Sequence, residues 1–197
     1  MTDKEAAAQN ELEAYKDKIW VTYKTRILAE QRYRVYGTAT HVLNTYFSLH
    51  LILYSIFADR FEALVQYFDK ILLCLSVVIF ASSLAVYAFR FFEKANEFRS
   101  CYLALQELLD EHVGYDELIS RYHQILKHYP NHAESDYDDL IFESSVLRNN
   151  PIKSKSNGKD IRPTWKKYAM YWLRKGTFYL IVAAGALIPL PPYLLLF

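Results

Sequence analysis

Three stretches of the chain carry no Asp, Glu, Lys or Arg: Val35 to Ala58, Ile71 to Phe89 and Gly176 to Phe197, of 24, 19 and 22 residues. About 20 helical residues at roughly 1.5 Å each cross a ~30 Å hydrocarbon core, so each run predicts a membrane span. Burial inside a soluble all-α domain is the other reading, but such helices usually keep a polar face and stop at about 10 to 14 residues. The pattern therefore predicts an all-α integral membrane protein. Its form is a two-span helical hairpin with long cytoplasmic helical extensions, plus a third C-terminal hydrophobic span.

Between the runs the periodicity is helical. Leu12, Tyr15, Ile19, Tyr23 and Ile27 recur at spacings of three and four, predicting a helix over 11–34 that needs a packing partner. Behind the second run, Phe91, Ala95, Phe98, Tyr102, Leu105 and Leu109 alternate in steps of four and three, the pattern of a heptad seam. The second span is expected to continue without a break into this helix, ending near Gly114. The seam has two readings, packing against helix 11–34 within the chain or self-association between copies. A further helix is predicted from Asp116 to His128, stopped by Pro130. The predicted division is 1–145 (helix 11–34, span about 37–58, outer loop 59–70, span about 71–91, cytoplasmic helices 92–145), a basic linker 146–168 and a membrane segment 169–197. Within that linker, Asn, Pro, Ser, Gly and Lys make 149–162 read as flexible. Pro189, Pro191 and Pro192 bar a straight helix to the end, leaving a kinked span from near Tyr171 or a re-entrant segment.

Composition enters through its distribution. Hydrophobic residues make up 52% of 197 and the net charge is only +1, yet Lys and Arg crowd particular flanks. Six precede the first run, from Lys16 to Arg34; Arg90, Lys94 and Arg99 follow the second; eight precede the third, from Lys153 to Lys175. The 59–70 connection offers only Arg60 and Lys70. The positive-inside rule then puts the N-terminus and segment 90–175 in the cytoplasm, with the loop and the C-terminus outside. Trp165, Tyr168, Tyr171 and Trp172 fall where interfacial aromatics would flank the third span. Met1 to Glu13 is polar and acidic, so the first run is expected to act as its own anchor. Cys74 and Cys101 suggest neither a disulfide framework nor a metal site.

Polar residues inside the runs are the candidate functional groups, since hydrocarbon penalises them unless they face water or a partner. His41, Asn44, Ser48 and Ser55 share one helical face of the first run; Ser76, Ser83, Tyr87 and Arg90 share one of the second. They are candidate pore-facing residues if several copies assemble. Equally, small hydroxyl residues let helices pack and hydrogen-bond, and Arg90 can snorkel to headgroups. No Gly-rich phosphate loop, metalloprotease His pair or Cys-x-x-Cys occurs. Pro130 breaks any helix that would align His128 with His132. The acidic cluster Glu134, Asp136, Asp138, Asp139 and Glu143 reads either as a divalent-ion site or as a solvated helix start paired with basic residues. An enzyme is not expected, and no cofactor is called for.

In order and spacing, Lys18–Arg34 (KIWVTYKTRILAEQRYR), the helical hairpin with its short outer loop, Ala95–Leu109 (ANEFRSCYLALQELL) and Tyr129–Phe142 (YPNHAESDYDDLIF) resemble the SLATT domain family over about residues 15–145. The resemblance implies a bacterial membrane effector of antiphage defence that forms pores or otherwise breaches the inner membrane. It further implies a homo-oligomer in lipid, triggered by a separate sensor such as a reverse transcriptase or a nucleotide-signalling enzyme, without nucleic-acid binding of its own. The third span departs from the minimal pattern and resembles the variants linked to reverse transcriptases. A non-enzymatic adaptor that anchors and clusters a cytoplasmic partner is the alternative function.

Overall fold

The computed structural model describes residues 3–62, 65–153 and 158–190. Among the described residues seven α-helices follow in order: α1 Asp3–Ile56, α2 Ala58–Glu62, α3 Phe68–Phe89, α4 Phe91–Asp110, α5 Tyr115–His128, α6 Glu134–Phe142 and α7 Trp165–Leu187. A π-helical turn, Glu143–Leu147, extends α6. The chain divides into a head unit, residues 1–33 with 92–172, and a paired-helix unit, residues 34–91 with 173–197. This division interleaves the sequence, unlike the consecutive 1–145, 146–168 and 169–197 read from it.

Two expected elements, helix 11–34 and the first span, are one uninterrupted helix of 54 residues. No proline interrupts it, and the buried Gly37 is carried inside the helix rather than ending it. The expected continuity after the second run is instead broken. Arg90 takes a left-handed conformation (φ 52°, ψ 41°) between α3 and α4, and its N–H donates to the Tyr87 carbonyl. A non-glycine residue there costs about 1–2 kcal/mol. α7 begins at Trp165, inside the stretch read as linker, and stops at Leu187 just before the helix-incompatible Pro189. Pro191 and Pro192 lie outside the described residues. The described ends of the 149–162 stretch pair back on each other, with the Ile161 N–H donating to the Ile152 carbonyl at 2.7 Å beside a Lys153–Asp160 bridge.

Among the described residues, the stretch Phe68–Asp110 is long and apolar enough to cross a membrane, and none of its most apolar part is buried. Among the described residues, neither the first run nor the described part of the third meets that measure. The apolar half of α1 is diluted by His41, Asn44, His50 and three tyrosines; the charge-free part of α7 ends at Leu187, soon after Arg174 and Lys175.

In the head unit the core gathers Ile19 of α1, Cys101, Leu105 and Leu108 of α4, and Leu118 and Tyr122 of α5. Fully burying such aliphatic side chains contributes about 1.5–3 kcal/mol each. Tyr33 stacks on Phe98 (5.6 Å between centroids), and Tyr23 meets Tyr102 edge-on at 5.9 Å. α5 complements its own dipole, with Asp116 and Glu117 in the first turn and Lys127 and His128 in the last.

Candidate functional site

In the paired-helix unit, one side chain of α1 clasps two neighbours on α3. Asn44 Nδ2 donates to Ser83 Oγ at 2.8 Å, and Asn44 Oδ1 accepts from Ser82 Oγ at 2.8 Å. Both serine hydroxyls also reach the Ile79 carbonyl. Of the eight candidate pore-facing residues, the structure brings Asn44 and Ser83 together. Ser48, Ser55 and Ser76 donate to carbonyls of their own helices, at Asn44, Leu51 and Leu73. His41, Tyr87 and Arg90 are exposed, Tyr87 to 83%.

A second set on α1, Tyr46 and Tyr54 with His50 between them, lies at the end of α7, which the two tyrosines hold. The Tyr46 hydroxyl donates to the Ala186 carbonyl at 3.0 Å and the Tyr54 hydroxyl donates to the Pro189 carbonyl. A helix end leaves carbonyls without intrahelical donors, and Pro189 supplies no N–H. The Ile188 N–H is spent on Ala184 and Gly185 and that of Leu190 on Leu187, so Tyr46 satisfies Ala186. Tyr46 and His50 lie 4.1 Å apart between ring centroids. Tyr54, Phe61 and Phe68 close the turn between α1 and α3 as an aromatic cluster. Sequence reasoning missed Ser82 and these tyrosines; the four-residue spacing of Tyr46, His50 and Tyr54 was the available signal.

The head unit has a buried polar network of its own. Arg26 is 1% exposed and donates through its terminal nitrogens to the Pro130 carbonyl and, at 3.5 Å, to Asn131 Oδ1. Its guanidinium also faces the Phe98 ring at 5.7 Å. Arg32 binds Asp136 with two bonds, at 2.7 and 3.0 Å. Asp136 Oδ2 additionally accepts the Ala133 N–H at 2.9 Å, half of a capping box, since Ala133 has no side-chain oxygen to return. Lys167 donates to Asp138 at 2.6 Å, a bond that raises the lysine's pKa. The acidic cluster is thus a paired helix start, but it is not solvated throughout: Asp136 and Asp139 are buried.

Burial pushes the Cys101 thiol up in pKa, against a smaller lowering by Arg26, which makes it a poor nucleophile. Burial and the adjacent Glu30 raise Tyr102. His132 is depressed, first by burial and then by Arg26, with Asp136 opposing. Among the described residues, the buried Arg26 Nε and His132 Nδ1 meet no hydrogen-bond partner.

The seam residues Ala95, Phe98 and Leu105 are buried inside this unit, and Tyr102 and Leu109 are half-buried on its edge. Cys101 and Leu108 join the buried face, which drifts from the heptad frame because a straight helix repeats every 3.6 residues. Phe91 falls in the paired-helix unit, where its ring lies 5.4 Å from that of Phe89. Tyr171, expected at a membrane interface, is 8% exposed and stacks on Phe142 at 3.9 Å.

Over residues 8–197 the sequence matches the SMODS and SLOG-associating 2TM effector domain family 5. The chain belongs to this SLATT family. The match runs through α7, so the C-terminal helix lies within the family's own extent rather than beyond it. No curated protein and no solved structure matches this SLATT chain.

Proposed function

We propose that the chain is a membrane effector of a bacterial antiphage defence system, which assembles in the inner membrane and breaches it when a separate sensor triggers it. The observation that carries this reading is the match to a family of two-transmembrane effector domains over nearly the whole chain. The uncovered apolar surface of α3 supports it, since Leu73, Val77, Val78 and Phe80 are each more than half exposed and suit lipid as solvent.

In this reading α1 and α3 form the two-span hairpin, with the head unit and N-terminus in the cytoplasm. α7 supplies a third span toward an outer C-terminus. The resting state is the one in which Asn44 and Ser83 hold each other. An oligomer that turns them to a central water path must exchange that clasp for contacts between copies. Interhelical polar bonds in membranes average about 0.6 kcal/mol and reach about 1.7, small enough for a trigger to reverse. The trigger is a reverse transcriptase or a nucleotide-signalling enzyme, and the effector needs neither enzymatic chemistry, cofactor nor nucleic-acid binding. Expression with its genomic neighbours and a trigger is expected to depolarise the inner membrane, and Asn44→Leu with Ser83→Leu to reduce that leak. An unchanged leak in the double variant would remove these faces from the account.

The internal clasp also favours a second reading, an adaptor that anchors and clusters a cytoplasmic partner, because polar groups satisfied within one chain need no water path. The adaptor co-purifies with a soluble protein and releases no dye from liposomes under any trigger.

A further inference from the structure

Residues 144–172 carry seven Lys and Arg against the single Asp160, net +6 in a chain whose total is +1. The same stretch leaves large apolar groups uncovered: Leu147 is 58% exposed, Trp165 83%, Met170 52% and Trp172 53%. Its described residues belong to the head unit. Ser145 Oγ donates to the Ile161 carbonyl at 3.0 Å, joining the π-helical turn to the segment that leads into α7. Phe142 and Tyr171 turn inward from it, stacked on each other.

We propose that this part of the head unit lies on the anionic headgroup layer of a phospholipid bilayer, with Trp165 and Trp172 in the interface and the basic side chains on lipid phosphates. The proposal rests on the reading of the chain as a membrane effector. Lys167 already pairs with Asp138 and Arg162 with Asp160. The exposed Arg148, Lys153 and Lys166 carry the attraction, worth about fivefold in surface partitioning for each Lys or Arg. A nucleic acid would also take cations and stacked rings, but it has no place for exposed Leu147 and Met170. A bilayer interface takes both, because its headgroups are charged and its acyl boundary is apolar.

The test uses the full chain with Trp20→Phe and Trp172→Phe, leaving Trp165 as its one indole, reconstituted in phosphatidylcholine vesicles with and without phosphatidylglycerol. Trp165 emission is expected to shift to the blue and to be quenched by brominated acyl chains, more strongly with phosphatidylglycerol present. Adding Arg148→Gln, Lys153→Gln and Lys166→Gln is expected to abolish that extra quench. Water-like, unquenched emission in anionic vesicles overturns the proposal, as does equal quenching in both lipids. A shift with short duplex DNA and none with vesicles overturns it in favour of nucleic acid. Alkaline carbonate extraction separates the two readings. If the protein is released, the spanning reading falls, and the same vesicles added to the released protein still decide whether Trp165 meets anionic lipid.

Discussion

Asn44 donates to Ser83 across α1 and α3 at 2.8 Å, and the same amide accepts from Ser82. Because each serine also bonds the Ile79 carbonyl, losing Asn44 strands neither hydroxyl, and the cost is only that of the interhelical bonds. Asn44→Leu is expected to weaken the pairing by about 0.6–1.7 kcal/mol. A double-mutant cycle with Ser83→Ala, read by unfolding in mixed detergent micelles, measures the coupling. A coupling indistinguishable from zero would mean that the two side chains do not hold the helices together.

The Arg32–Asp136 pair ties the head unit together with two bonds, and Asp136 is at 1% exposure. Asp136→Asn keeps an oxygen for the Ala133 N–H while removing the charge that faces Arg32. Arg32 retains 23% side-chain exposure, so solvent moderates the loss to about 2 kcal/mol, less than the 3–5 of a fully buried pair. Denaturant unfolding followed by near-ultraviolet circular dichroism checks it, and a variant as stable as the parent would refute it.

His132 gives the head unit a pH dependence whose sign is fixed by its environment. Burial and Arg26 hold its pKa below the ordinary 6.5, so the unfolded chain binds the proton more readily than the folded one. This contribution is present above pH 6.5 and is lost as the pH falls from there toward the lowered folded value. The melting temperature is expected to drop over that window, and His132→Gln to flatten the drop. An identical profile in the variant would assign the pH dependence to other groups.

What could be read from the residues and what could not divide along physical lines. The charge-free runs and the three-and-four stripes follow from local spacing, and α1, α3, α4 and α5 lie where those patterns run. The break at Arg90 has no such signature, since neither Gly nor Pro stands between Ala88 and Phe92. Asn44 was legible as a polar group on a face, but its choice of Ser83 depends on helix register across 39 residues. Tyr171 read as an interface residue because α7 alone was in view, whereas Phe142, which buries it, comes from a different helix.

Gly185 of α7 tests how closely that helix is packed. A Cβ there would meet the Leu43 methyl groups at 3.6 Å, ordinary van der Waals contact. Gly185→Ala is therefore expected to be tolerated and to add up to about 1 kcal/mol through helix propensity. A loss of stability in detergent would mean that α7 sits nearer α1 than this.

Phe142 decides whether the start of α7 is docked. It is 1% exposed and sits among Tyr168, Tyr171 and Trp172, with the Tyr171 ring stacked on it at an interplanar angle of 16°. Lys167–Asp138 is the neighbouring polar tie, but at 42% and 23% side-chain exposure it is worth at most about 1 kcal/mol. Packing therefore dominates, and Phe142→Ala is expected to cost about 3–5 kcal/mol while Asp138→Asn costs less than 1. With the ring gone, trypsin should reach Lys166 and Lys167 sooner, so cleavage there rises in Phe142→Ala but not in Asp138→Asn. Equal cleavage in the two variants would place the hold on α7 in the salt bridge instead.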